Sequence, residues 1–271
     1  MKTISLTRLL GISAMLLTLQ PTLVNAETPE EKGFAIAARS DRSDRGFIDT
    51  EVNARMVLYN AHGQSTERKM IQRIKEVQDE SVGDKSIIIF ETPADVSGTA
   101  FLSHANILEA DDQWLYLPDL KKIKRISSRN KSGPFLGSEF AFEDFTSQEL
   151  NKYTYKFIRE EPCPDMKNVT CDVSERYPEF DNSGYTKQVS WVDQKDYQVR
   201  KIDFYDRKDA LAKTLTFSGY KKYADKYWRA QELKMVNHLN GKKTDFLFDE
   251  FTFNVGFSDK EFEKGILTRL R

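Results

Sequence analysis

The sequence predicts a mainly β protein with a few helices, built around a large, twisted antiparallel sheet. Three observations carry this. Short alternating or apolar segments recur along most of the chain, separated by turn-forming residues. They follow one another directly instead of alternating with helical patterns, which is the order of a meander and disfavours a parallel dinucleotide-binding sheet. Two connections also read as hairpins: Asn240-Gly241, and the turn inside WLYLPDLKKIKRI, which begins at Trp114.

Residues 28–44 open on Thr28-Pro29-Glu30-Glu31, a helix start with acids in its first turn, so a short helix is predicted there. From residue 50 the period becomes two. Val52, Ala54, Met56 and Leu58 alternate with Glu51, Asn53 and Arg55, and 60–64 supply a turn. Residues 67–77 suit a helix or a strand, and the hairpin context predicts the strand. Ile87-Ile88-Ile89-Phe90, bounded by Gly83-Asp84 and Pro93, predicts a covered strand, and 98–107 another. Residues 139–150 are rich enough in Phe, Glu and Leu to predict a short helix after Gly137, and 153–161 a strand before a cysteine-bounded loop. The sheet resumes over 185–192, 197–205, 211–219, 227–239 and 244–255. Ser258-Asp259-Lys260-Glu261 then starts a final helix carrying Phe262, Ile266, Leu267 and Leu270. No linker or low-complexity tract divides residues 27–271, which predicts one domain.

Hydrophobic residues make up 39% of the 271, enough for a sizeable core, and 41 basic residues balance 42 acids. No global field exists to collect phosphates, which argues against a nucleic-acid partner. Residues 1–26 read as a cleaved signal peptide: Lys2 and Arg8, an apolar stretch over 9–19, and Val24-Asn25-Ala26 before Glu27. Cys163 and Cys171 then meet an oxidising compartment, where a disulfide closing a short loop is expected. A metal site would need ligands that the scattered His62, His104 and His238 do not supply.

Residues 113–145 are the most informative stretch. If 118–121 form the turn, Leu117 pairs with Lys122 and Trp114 with Arg125. Trp114, Tyr116, Ile123 and Arg125 then share one face, opposite Leu115 and Leu117. FLGSEFAFEDF follows and sets Phe135, Leu136, Phe140, Phe142 and Phe145 on a segment bent by Gly133, Pro134 and Gly137. Two readings stand: these groups plug the core of a β domain, or they form a lid or wall of a cavity that holds an apolar ligand.

WLYLPDLKKIKRI followed by FLGSEFAFEDF resembles the outer-membrane lipoprotein-sorting proteins of the LolA-like superfamily, in the branch longer than the named carriers. The match is strong over 114–145 and extends in layout from about residue 34 to the end. The resemblance implies a curved antiparallel sheet forming an unclosed half-barrel covered by helices, a periplasmic location, and a concave apolar side that holds acyl chains.

Local catalytic signatures are scarce: no phosphate loop, zinc-protease, nucleophile-elbow or calcium-loop pattern occurs. Ser128-Arg129-Asn130-Lys131 and Ser218-Gly219-Tyr220-Lys221 match Ser-x-x-Lys, as chance allows in a chain rich in both residues. Carboxylate pairs such as Asp111-Asp112 and Glu143-Asp144 are candidates for acid–base or cation chemistry, but Asp111-Asp112 reads as a turn cap. The basic run Lys121, Lys122, Lys124, Arg125, Arg129 and Lys131 is either a solvated strand edge or a contact for lipid phosphates or an acidic partner.

The reading is therefore a non-enzymatic periplasmic carrier or chaperone for lipids or lipoprotein acyl chains. Its candidate binding residues are Trp114, Tyr116, Arg125, Phe135, Leu136, Phe140, Phe142 and Phe145, with no metal or cofactor. The alternative is an envelope module that docks on an inner-membrane transporter or regulator without cargo, and an unrecognised hydrolase ranks below both.

Overall fold

The computed structural model of the chain describes residues 26–79, 81–145 and 149–270. The predicted signal peptide lies outside them except for Ala26. Among the described residues one α-helix, α1 (Pro29–Asp44), leads into sixteen strands. The first six are β1 (Asp49–Tyr59), β2 (Ser65–Lys75), β3 (Lys85–Thr92), β4 (Ala100–His104), β5 (Asp112–Leu117) and β6 (Lys122–Arg125). After the aromatic segment come β7 (Tyr153–Pro162), β8 (Thr170–Pro178), β9 (Tyr185–Asp193), β10 (Val199–Asp206) and β11 (Leu211–Ser218). A small hairpin, β12 (Lys221–Tyr223) with β13 (Tyr227–Arg229), precedes β14 (Glu232–Asn237), β15 (Lys243–Phe248) and β16 (Thr252–Phe253).

Fourteen strands form one antiparallel sheet in the order β6-β5-β4-β3-β2-β1-β15-β14-β11-β10-β9-β8-β7, with β16 also on β1. Two meanders are thus joined where β1 pairs with β15, Ala54 opposite Phe248. The ends, β6 and β7, do not meet, so the sheet is an unclosed barrel. Its curvature can be measured from side chains. Phe101 of β4 and Phe246 of β15 stand four strand steps apart, about 19 Å on a flat sheet. Both rings nevertheless contact Phe145, at centroid distances of 6.4 and 5.9 Å. The sheet wraps around that segment.

Alternation sorts the side chains onto two faces. The concave face carries the main core, including Met56, Met70, Phe90, Phe101, Leu115, Ile202 and Phe246. On the convex face Ile87, Ala100 and Leu102 pack beneath Phe262 and Leu267. Farther along that face Val173, Val189 and Trp191 pack with the cystine.

α1 covers the β7 edge. Thr28 accepts the Glu31 N–H at 3.2 Å, and the Glu31 carboxylate accepts the Thr28 N–H at 2.8 Å, closing the predicted capping box. Gly33 faces β7 so closely that a Cβ there would lie 2.8 Å from the backbone nitrogens of Lys156 and Phe157. Only glycine permits that approach.

Several sequence expectations need correction. The described residues of 139–150 form no α-helix: Phe142–Phe145 make one 3-10 turn, Leu150–Lys152 another, and 146–148 are outside the described residues. The backbone is instead folded back as a tight loop, with the Phe135 N–H on the Phe140 carbonyl at 2.7 Å and the Phe142 N–H on the Gly133 carbonyl at 3.2 Å. The final helix is two 3-10 turns, Asp259–Phe262 and Lys264–Thr268, broken at an extended Glu263. Phe262 and Leu267 are both fully buried, and a spacing of five would put them on different sides of an α-helix. Residues 170–178, predicted as part of a loop, form β8 between β7 and β9. The strand predicted over 227–239 is two, β13 and β14, on different sheets.

Cys163 and Cys171 are bridged, with Cα atoms 4.9 Å apart across the β7–β8 connection. Replacing both by alanine is expected to cost about 2–3 kcal/mol, mainly by freeing the unfolded chain. Urea denaturation of the double variant measures this, and an unchanged midpoint would count against it.

Candidate functional site

Two features share the concave face: an aromatic plug and, beside it, a cavity. The plug is the segment that follows β6. Phe135 and Phe140 are 0% and 3% exposed, whereas Leu136, Phe142 and Phe145 are partly buried against the same cluster. The rings contact one another, Phe135 to Phe145 at 4.2 Å and Phe140 to Phe145 at 5.5 Å, and reach the sheet through Phe90, Phe101 and Phe246.

Polar bonds hold this loop to both halves of the sheet. Arg68 of β2 donates to the Leu136 carbonyl at 2.5 Å, and Gln113 of β5 donates to the Phe142 carbonyl at 2.9 Å. Thr244 of β15 accepts the Glu139 N–H at 3.0 Å. Across the sheet, the Tyr185 hydroxyl donates to the Asp144 carboxylate at 3.1 Å, and Glu143 accepts Ser183 Oγ–H and Gly184 N–H, both at 2.8 Å. Behind the loop lies a buried charge cluster, where Lys152 pairs with the Asp111 carboxylate and Lys131 donates to the Asp111 carbonyl.

Burial, with the neighbouring Asp144 charge second, pushes Glu143 up from 4.5 to about 7. Below its ordinary range Glu143 is protonated in folded and unfolded chains alike, so this group costs the fold nothing there. As pH rises toward 7 the unfolded chain ionises first, so folding loses of order 2 kcal/mol relative to acid conditions. Glu143→Gln is expected to flatten that part of the stability curve. Urea midpoints of both proteins at about pH 5 and about pH 8 test this, and parallel curves would refute it.

The cavity, about 680 Å³, lies between α1 and the β8–β11 part of the concave face. Ile36, Ala37 and Ser40 of α1 form one wall. Ser174, Ser190, Val192 and Ile202 form the opposite one, with Phe217 and Leu150 among the residues around them. Ile202, Val199 and Phe217 also belong to or pack on the plug's cluster, so cavity and plug adjoin. The lining is amphipathic. Gln198 reaches across to donate to Ser43 at 3.2 Å, and Glu76 anchors the segment after α1 through the N–H groups of Gly46 at 2.7 Å and Ile48 at 3.1 Å. Arg229 pairs with Asp44 at the helix end. The rim exposes Phe34 and Val82.

The eight candidate residues therefore divide. Phe135, Leu136, Phe140, Phe142 and Phe145 are brought together as the plug, next to the cavity but outside its lining. Trp114 and Tyr116 stand on the convex face under the C-terminal turns, Trp114 against His104 at 5.0 Å, and Arg125 pairs there with Asp112 and is largely exposed. The hairpin register matches the expectation pair by pair, but an odd step separates its two faces, and only Leu115 and Leu117 look toward the plug. Sequence reasoning missed Arg68, Gln113, Asp144 and Tyr185 as fasteners and the whole cavity lining.

Among the described residues no group of three or more His, Cys, Asp and Glu side chains converges as a metal cluster. No described helix is long and apolar enough to cross a membrane.

The chain is thus an open antiparallel sheet curved around an apolar plug, with a helix over its concave side. Similarity to solved structures agrees. A domain from Vibrio parahaemolyticus described as an outer membrane lipoprotein-sorting protein is 48% identical, with a TM-score of 0.84, over 89% of this chain and 100% of that one. A DUF1329 family protein from Desulfovibrio piger is 29% identical, with a TM-score of 0.82, over 89% and 99%. A LolA superfamily protein from Nitrosomonas europaea shares the fold at 19% identity, with a TM-score of 0.67, over 85% and 97%. A family model whose description names only an uncharacterized protein matches residues 83–269. No curated protein matches the sequence. The chain belongs to the outer-membrane lipoprotein-sorting protein family.

Proposed function

We infer that the protein is a non-enzymatic periplasmic carrier that holds an acyl chain, of a lipid or a lipoprotein, in the cavity between α1 and the sheet for transport toward the outer membrane. One observation carries this reading: an amphipathic cavity of about 680 Å³ on the concave face, within the range of about 300–1,000 Å³ typical of ligand sites. Ile36, Val199, Ile202 and Phe217 offer apolar contact, and Ser174, Ser190 and Gln198 offer partners for a head group. The plug adjoins the cavity through Val199, Ile202 and Phe217, and Phe142 and Phe145 are its less buried rings.

Family membership supports the envelope location, and the targeting pattern of residues 1–26 supports export of residues 27–271 as the working unit.

The test is native mass spectrometry of protein purified from the periplasm, followed by titration of the delipidated protein with a fluorescent fatty acid. A co-purifying acyl lipid and saturable rebinding are expected. Protein that carries no lipid and rebinds none, yet captures an inner-membrane partner when empty, would replace this reading with the docking module.

A further inference from the structure

The basic run after Pro118 has no part in the cavity. It occupies the β5–β6 hairpin and the turn beyond it, at the free end of the sheet. Six basic residues and one acid fall within residues 118–131 of a chain otherwise close to charge balance. Arg125 is taken by Asp112 and Lys131 is buried on Asp111. Lys121, Lys122, Lys124 and Arg129 are exposed, and none of them makes an ion pair with a described residue.

Just before these cations, between Asp119 and Lys121, the turn presents an apolar side chain. Leu120 is 54% exposed at the tip and packs in none of the core clusters. The tip is preorganised: Pro118 starts a 3-10 turn, Lys121 closes it at a φ of 48°, and the Lys121 N–H bonds the Pro118 carbonyl at 2.9 Å. Pro118 also sits against Gly98, where a Cβ would be 3.6 Å from its ring.

We propose that this hairpin tip docks the protein on an anionic phospholipid bilayer, Leu120 entering the head-group layer while Lys121, Lys122, Lys124 and Arg129 meet lipid phosphates. A strand edge protected against aggregation accounts for lysines on β6. It does not account for Lys121 at the turn or Arg129 beyond the strand, nor for a leucine exposed beside Lys121. An extended acidic peptide added to the sheet is disfavoured because β6 offers only four residues of edge. A short apolar tip followed by unpaired cations fits the interface of a charged membrane, where each surface lysine strengthens binding about fivefold.

The experiment is flotation of the exported protein with vesicles of phosphatidylcholine alone and of phosphatidylcholine mixed with phosphatidylglycerol. Binding is expected only to the mixed vesicles, falling as salt is raised. The triple variant Lys121→Asn, Lys122→Gln, Lys124→Gln is expected to weaken it about 100-fold at low salt. Leu120→Ser is expected to weaken it several-fold without changing the salt dependence. Thermal unfolding checks that the variants fold, and Leu120→Ser with Arg129→Gln serves if the triple variant does not. Equal binding to both vesicles, undiminished binding of folded variants, or capture by soluble poly-glutamate but not by vesicles would each overturn the proposal.

Discussion

Truncating Phe135 to alanine is expected to cost about 3–5 kcal/mol of folding free energy, at the upper end for a single core substitution. Its ring is fully buried and touches Phe90, Phe101, Phe142 and Phe145. Those partners come from both the sheet and the loop, so the hole cannot be closed by moving one element. Phe140→Asn should behave alike, with an unpaired amide added to the lost packing beside Phe246. Urea denaturation and displacement of a fluorescent fatty acid, measured on the same variants, decide the role of the segment. Lost stability with unchanged affinity in the folded fraction identifies a structural plug. Lost affinity with stability intact would make these rings part of the ligand wall.

The two readings of that segment could not be separated in the sequence for a physical reason. A phenylalanine that fills a core and one that lines a lipid cavity obey the same alternation and the same preference for burial. What distinguishes them is which strands meet over the segment, and that depends on the β1–β15 pairing, a contact between residues nearly 200 positions apart. Local pairing was legible: Trp114 opposite Arg125 and Leu117 opposite Lys122 follow from one short turn between two alternating runs.

Residues around the cavity were hidden for the opposite reason. Along β8, Cys171 and Val173 face the apolar convex cluster while Ser174 and Arg176 face inward to the cavity. An amphipathic lining therefore puts polar residues where a strand pattern expects apolar ones, and β8 reads as loop. Ser190 and Gln198 fall in segments read as strands, but as polar residues they gave no sign of lining a cavity. The break at 229–232 and the 3-10 character of the C-terminal turns likewise depend on tertiary packing, of Arg229 under Phe47 and of Phe262 and Leu267 under the sheet. Local propensity does not report those contacts.

Filling the cavity from its helix side should separate binding from folding. Ala37 sits on α1 and lines the cavity, so Ala37→Phe directs a ring into the space assigned to the acyl chain. Displacing a few methylenes of ligand contact, about 0.8 kcal/mol each, predicts roughly 10- to 100-fold weaker fatty-acid binding. Stability should change by no more than about 1 kcal/mol, because the modest helix propensity of phenylalanine is offset by its contact with Ile202 and neighbouring apolar groups. Ala37→Ser, which keeps the volume, should bind as the unmodified protein does. The measurement is the dissociation constant of a fluorescent fatty acid alongside the thermal midpoint for all three proteins. If Ala37→Phe folds normally and binds with unchanged affinity, the acyl chain lies elsewhere, and the space beneath α1 is not the cargo site.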